Sequence, residues 1–291
     1  MLTKYVTNMM TLGGQAPVFE SPDAYGLDYQ DVTFTTSDGV SLSGWLIHGG
    51  SDRVIIQSHF GVQCSRAGYT PQGKGFPKLY KQNISFLRQA KSLVEQGYSL
   101  LMYDLRNHGN SGEGTSPYIA WGCEEAKDVV AAVDFISQHP DYQGADIGLL
   151  SICMGTSATA FAYGLPGGLQ SYSNIKALIS VQPLRYLDYM KAMGMPDFLT
   201  RRVNAYNIKR GGADLSDSFF EYVPNIHVPT LVIQNSNDPW TNMDSVREYY
   251  QLIGGEKEML WLDLAKNRAA AYDWLGTSPQ KLSEFFNKYM K

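Results

Sequence analysis

The chain has 291 residues, with 24 basic and 28 acidic side chains for a formal charge of −4, and 44% of its residues are apolar. That apolar content excludes a disordered chain, and the mildly acidic balance gives no electrostatic reason to expect a nucleic-acid partner. No apolar run approaches the roughly 20 residues of a membrane span, so no membrane partner is expected. Two domains would fit the length, but one α/β domain fits it equally well. The segment from Met1 to Gly14 shows no apolar core followed by a small-residue cleavage site, so no signal peptide is expected. Cys64, Cys123 and Cys153 are odd in number, lack CxxC spacing and have no histidine cluster nearby. A disulfide framework or zinc site is therefore not expected, and free thiols point to the cytoplasm.

Residues 1–30 show weak periodicity and read as a segment wrapped over a surface, ahead of a single domain at 31–291. Alternation at Asp31–Thr36, a Ser37-Asp38-Gly39 turn and a strand over Val40–Ile47 predict a hairpin. Arg53–Ser58 is a short apolar strand that runs into a polar loop from His59 to Gly75, and Asn83–Gln96 has helical spacing stopped by Gly97. Strands at Tyr98–Asp104, Asp146–Ser151, Lys176–Val181, Thr230–Gln234 and Glu258–Leu262 then alternate with helices at Cys123–Gln138, Cys153–Tyr163, Asp244–Leu252 and Pro279–Tyr289. This rhythm predicts an α/β fold, a mostly parallel eight-stranded sheet with helices on both faces. Residues 184–225 break the rhythm and read as a small lid insertion.

In Gly148–Ala158 an apolar strand meets a tight turn and then a helix of small residues, the setting of a nucleophile elbow. Ser151 stands at the first glycine of the Gly-x-Ser-x-Gly pattern, Cys153 at the nucleophile and Gly155 at the second glycine. A helix N-terminus favours an anion, and a thiolate needs less help from a base than a hydroxyl. The competing reading of Cys153 is a small buried apolar residue.

With Leu101–Gly112, where a strand ends in Asp104-Leu105-Arg106-Asn107-His108-Gly109, the chain resembles the α/β-hydrolase superfamily over about residues 30 to 290. The Cys153 elbow is similar to that of its dienelactone-hydrolase and peptidase-like branch. The resemblance implies that His108 orders its loop and that His59-Phe60-Gly61 forms an oxyanion-hole loop. Backbone N–H groups would come from Phe60 or Gly61 and from Met154, with His59 bracing the loop. It further implies that Asp238, after an apolar strand, orients a histidine; a turn aspartate is the other reading.

That histidine is missing. The resemblance puts it after the last strand, at Asn267 or Arg268, yet no histidine follows His227. The chain could be a binding protein, use a thiolate held by Lys266 or Arg268, borrow His59, or be an inactivated variant. The expected function is cleavage or transfer of an acyl group from a small ester, thioester or lactone through Cys153. The alternative is an impaired pseudo-hydrolase that binds a ligand. No phosphate-binding glycine loop or metal-spaced histidine pair occurs, so no cofactor or metal is expected. Tyr186, Tyr189, Met190 and Phe198 are candidate lid residues over a hydrophobic group, with packing roles the competing reading.

Overall fold

The computed structural model describes residues 2–13, 16–74, 78 and 80–291; Met1 and Gly14, and Gly75 at the end of the expected polar loop, lie outside them. Eight strands form one sheet: β1 (Tyr29–Thr35), β2 (Ser41–Ile47), β3 (Arg53–Ser58), β4 (Ser99–Tyr103), β5 (Asp146–Ile152), β6 (Ile175–Val181), β7 (Thr230–Asn235) and β8 (Lys257–Leu262). Their order is β1-β2-β4-β3-β5-β6-β7-β8. β2 runs antiparallel to β1 and β4, and the remaining pairs are parallel.

The helices are α1 (Leu2–Thr11), α2 (Leu87–Val94), α3 (Ala126–Gln138), α4 (Met154–Gly164), α5 (Tyr186–Ala192), α6 (Asp197–Lys209), α7 (Met243–Leu252), α8 (Ala269–Thr277) and α9 (Gln280–Tyr289). The central strands are continuous apolar runs because both faces are covered. Val54, Ile56, Ile147 and Leu149 pack with α3, α4 and α7, whereas Ile55, Leu150 and Ile152 pack with α2, α8 and α9. The side-chain period of two divides each run between two core layers.

Four elements differ from the sequence expectation. Residues 2–11 are a helix, α1, with Val6 and Met10 buried in a separate core formed with α5 and α6. Its buried positions are only four residues of one short helix, too few to stand out as a periodic pattern. α8 was not expected, because its Ala-Ala-Ala-Tyr start lacks an amphipathic stripe. The helix expected over Asn83–Gln96 starts only at Leu87, since Ile84–Ser85 pairs with Gly68–Tyr69 in a small antiparallel sheet that also holds Cys64–Ser65. The helix expected from Cys123 starts at Ala126, because the buried Glu125 carboxylate accepts from Ala120 N–H at 2.9 Å and Gly122 N–H at 2.8 Å.

Candidate active site

Cys153, the Phe60–Gly61 pair and Asp238 each lie just beyond the end of a strand, β5, β3 and β7. β5 delivers Cys153 as the N-cap of α4, at φ 53° and ψ −103°. For a residue with a Cβ this backbone is strained, and it is held by its surroundings. Cys153 N–H donates to Val181 O at 2.8 Å, its carbonyl accepts from Ser157 N–H at 3.1 Å, and Thr156 Oγ1 donates to Ser151 O at 2.8 Å. Gly155 lets the first turn of α4 cross the end of β3: a Cβ there would lie 2.4 Å from Ser58 O. Cys153 is thereby turned out of the sheet, half-buried, into a pocket.

Phe60, Gly61, Met154, Tyr189, Arg268 and Tyr272 share that pocket with Cys153. The Phe60–Gly61 loop and the start of α4 lie against each other, since a Cβ on Gly61 would stand 2.7 Å from Met154 Sδ. The Phe60 ring stacks on Tyr272 with centroids 4.4 Å apart. Five non-glycine residues have positive φ among the described residues. Val62, Trp121 and Cys153 line the pocket, and Gln182 backs it. Strain is concentrated where the pocket is shaped.

The acid end is built around a buried ion pair. Asp238 lies just beyond β7 and is 6% exposed; its carboxylate accepts from Trp240 N–H at 3.0 Å and Thr241 Oγ1 at 2.8 Å. Its charged partner is Arg268, whose guanidinium Nη1 bonds Asp238 Oδ2. Arg268 also donates from Nε to Tyr272 Oη at 2.7 Å and from Nη1 to Thr241 Oγ1 at 2.8 Å. Gln182 clamps it at both ends, accepting from Nη2 with its carbonyl and donating Nε2 to Arg268 O at 2.7 Å. Burial by itself would lower the Arg268 pKa, but Asp238, Tyr272 and Cys153 outweigh it and hold the group charged, its pKa raised well above the ordinary value. Burial likewise drives the Tyr272 hydroxyl well above its ordinary pKa, and Tyr272 shares the pocket lining with Cys153.

Of the two positions where a histidine was expected, Arg268 therefore meets Asp238. Asn267 is turned to the start of α8, where its Oδ1 accepts from Ala269 N–H at 2.9 Å. Sequence reasoning missed Tyr272 and Gln182, which become neighbours of the site only when α8 and the end of β6 come together.

His59 and His108 are both committed to the main chain. His59 Nδ1 donates to Phe60 O at 2.6 Å and Nε2 accepts from Leu105 N–H at 3.0 Å. His108 Nδ1 donates to Arg106 O at 2.8 Å and Nε2 accepts from Val62 N–H at 3.2 Å. Burial pushes their pKa values down to about 4 and about 3. Neither ring has a free nitrogen for a substrate proton. Lys266 is exposed.

The lid candidates separate by depth. Tyr189 lines the pocket, with its ring 5.7 Å from Trp121 and 5.2 Å from Trp240. Tyr186 and Met190 lie in the core shared by α1, α5 and α6, whereas Phe198 is 55% exposed on the outer side of α6, away from the pocket lining. α1 adds Met9 and Met10 to the pocket wall, and Met10 O accepts from Trp121 Nε1 at 3.0 Å. The segment read as a surface wrap thus closes the pocket. Cys64, Cys123 and Cys153 are all free. Among the described residues, no group of three or more His, Cys, Asp or Glu could hold a metal ion, and no helix is long and apolar enough to cross a membrane.

No protein-family model and no curated protein matches the chain. Solved structures do. The esterase Pf2001 of Pyrococcus furiosus is 23% identical with a TM-score of 0.69, over 97% of this chain and 98% of its own. A dienelactone hydrolase from Anabaena variabilis is 17% identical with a TM-score of 0.58, over 91% and 99%. The acylaminoacyl peptidase of Pyrococcus horikoshii is 18% identical with a TM-score of 0.61, over 91% of this chain and 42% of its own.

Proposed function

This chain has the α/β-hydrolase fold, and we propose that it transfers acyl groups from a thioester through Cys153. One observation carries the reading: the nucleophile position holds a strained thiol facing a pocket that is lined by Tyr272 and Arg268 and by no histidine. The guanidinium stays protonated at any working pH, so it cannot accept the proton of an attacking group.

A thioester donor suits a site without an imidazole. The Cys153 sulfur forms a bond to the carbonyl carbon while the bond to the departing thiol sulfur breaks. The proton leaves Cys153 and ends on the released thiol, so the step needs no net acid or base. An oxyester would release an alkoxide, far more basic than a thiolate and dependent on a proton donor. The start of α4 at Met154 and the Phe60–Gly61 loop supply N–H groups for the oxyanion. Tyr272, which lines the pocket with Cys153 and accepts from Arg268 Nε, is the hydroxyl that would pass the proton between the two sulfurs.

The acyl-enzyme then persists, because water needs a general base to attack it and general-base help contributes about 10²–10⁴-fold. A better nucleophile such as a thiol or amine takes the acyl group and returns a proton to Cys153. The apolar pocket wall from Met9, Met10, Trp121 and Leu184 suits a hydrocarbon acyl chain.

The test is intact-mass measurement after mixing the protein with hexanoyl-N-acetylcysteamine. One hexanoyl group should appear on wild type, persist for many minutes and be absent from Cys153→Ala. A chain that takes up no acyl group, or loses it as fast as a triad hydrolase, is not this transferase; in the first case it is a ligand-binding protein.

A further inference from the structure

The chemistry uses the inner side of the lid and leaves its outer side unaccounted for. Seven large hydrophobic side chains are exposed among the described residues. Six of them, Leu2, Tyr5, Leu187, Met193, Phe198 and Ile208, lie on α1, α5 with its C-terminal turn, and α6. Scattered exposed hydrophobics need no explanation, but a cluster on one substructure does. Along α6 the exposed residues 197, 198, 201, 202, 205, 208 and 209 recur at helical spacing, while Thr200, Val203 and Asn207 are buried on the opposite side.

The same three helices are basic on their exposed sides. Lys4, Lys191, Arg201, Arg202 and Lys209 are exposed and make no ion pair with any described residue. On these helices and the turn between α5 and α6, Asp197 is the one exposed acid. The chain as a whole is acidic at −4, so positive charge is gathered here against the overall balance. A second copy of the chain docked face to face would set cation against cation. An anionic surface would satisfy both features at once.

We propose that the outer face of α1, α5 and α6 docks on an anionic lipid bilayer, with its aromatic and aliphatic side chains entering the headgroup boundary and its cations on lipid phosphates. This is attachment in the interface plane and requires no span, so it is compatible with the absence of an apolar run of that length. The docked face and the pocket wall of Met9, Met10 and Tyr189 are two sides of the same helices. The proposal stands apart from the acyl-transfer reading, because lipid binding is measured without turnover.

Sedimentation with vesicles tests it. The full chain should co-sediment with phosphatidylcholine vesicles containing 30% phosphatidylserine, hardly at all with pure phosphatidylcholine, and should be released by 0.5 M salt. Each cation near an anionic membrane is worth about a fivefold change in binding, so Arg201→Glu with Arg202→Glu should weaken binding by more than about a hundredfold. Phe198→Ser with Ile208→Ser should also weaken it, and because all four side chains are exposed these variants should fold; circular dichroism checks that. Failure of wild type to bind anionic vesicles, or binding that ignores both salt and the charge reversal, overturns the proposal. A concentration-dependent dimer in ultracentrifugation that Phe198→Ser dissolves would instead give the face to a second copy and overturn it as well.

Discussion

The proposed chemistry turns on Arg268. Its guanidinium and the Asp238 carboxylate are buried together, so removing either leaves the other uncompensated. Arg268→Leu is expected to destabilise the fold by about 3–5 kcal/mol in urea titration. Arg268→His sets an imidazole against the Asp238 carboxylate and beside Cys153, the proposed nucleophile. It should speed hydrolysis of the hexanoyl-enzyme by about 10²–10⁴-fold, measured as loss of the mass adduct. Asn267→His should change that rate little, because position 267 faces the start of α8; an equal gain from both would mean that the imidazole need not contact Asp238. At Cys153 the strained φ of 53° makes its own prediction. Cys153→Gly should melt at a higher temperature than Cys153→Ala, by the equivalent of about 1 kcal/mol, since glycine alone relieves the backbone.

Among the elements, α1 has the most to test. Val6 and Met10 bury themselves against α6, and Arg210 from the end of α6 reaches back to Asn8 at 2.5 Å. The core they share is separate from the two core layers of the sheet. Val6→Asp puts a charge among apolar side chains without touching the sheet. Hydrogen exchange should then show lost protection over 2–11 and 197–209 with β5 and β6 unchanged. Loss of protection throughout would show that these helices and the sheet unfold as one unit.

At the scale of the whole molecule, the buried histidines link the fold to pH. His59 and His108 are neutral in the folded chain, with pKa values near 4 and 3, whereas in the unfolded chain each titrates near the ordinary value of 6.5. The unfolded chain therefore binds more protons between those values, and stability from keeping the rings neutral is full above about pH 6.5 and falls as pH drops. Each histidine should cost about 2 kcal/mol between pH 7 and pH 5. Urea midpoints at the two pH values measure the decline. His108→Asn, which keeps an acceptor for Val62, should show about half of the histidine-dependent part; an unchanged decline would place the proton uptake elsewhere.

The sheet and its helices were legible in the sequence because parallel strands buried on both faces must be short apolar runs, and because turns and caps punctuate them. Cys153 and Asp238 were legible for the same reason: each lies where an apolar strand stops. What the sequence could not decide is what meets what across the sheet edge. That Arg268 and not Asn267 turns toward Asp238 depends on how α8 sits on its neighbours, with Gln182 clamping the arginine from the end of β6. That Tyr272 stands beside Cys153 depends on α8, a helix without an amphipathic signature. That α1 closes the pocket depends on α6, nearly two hundred residues away. Periodicity reports only whether a residue faces a core; which core, and which partner within it, is set by the packing of elements distant in the chain.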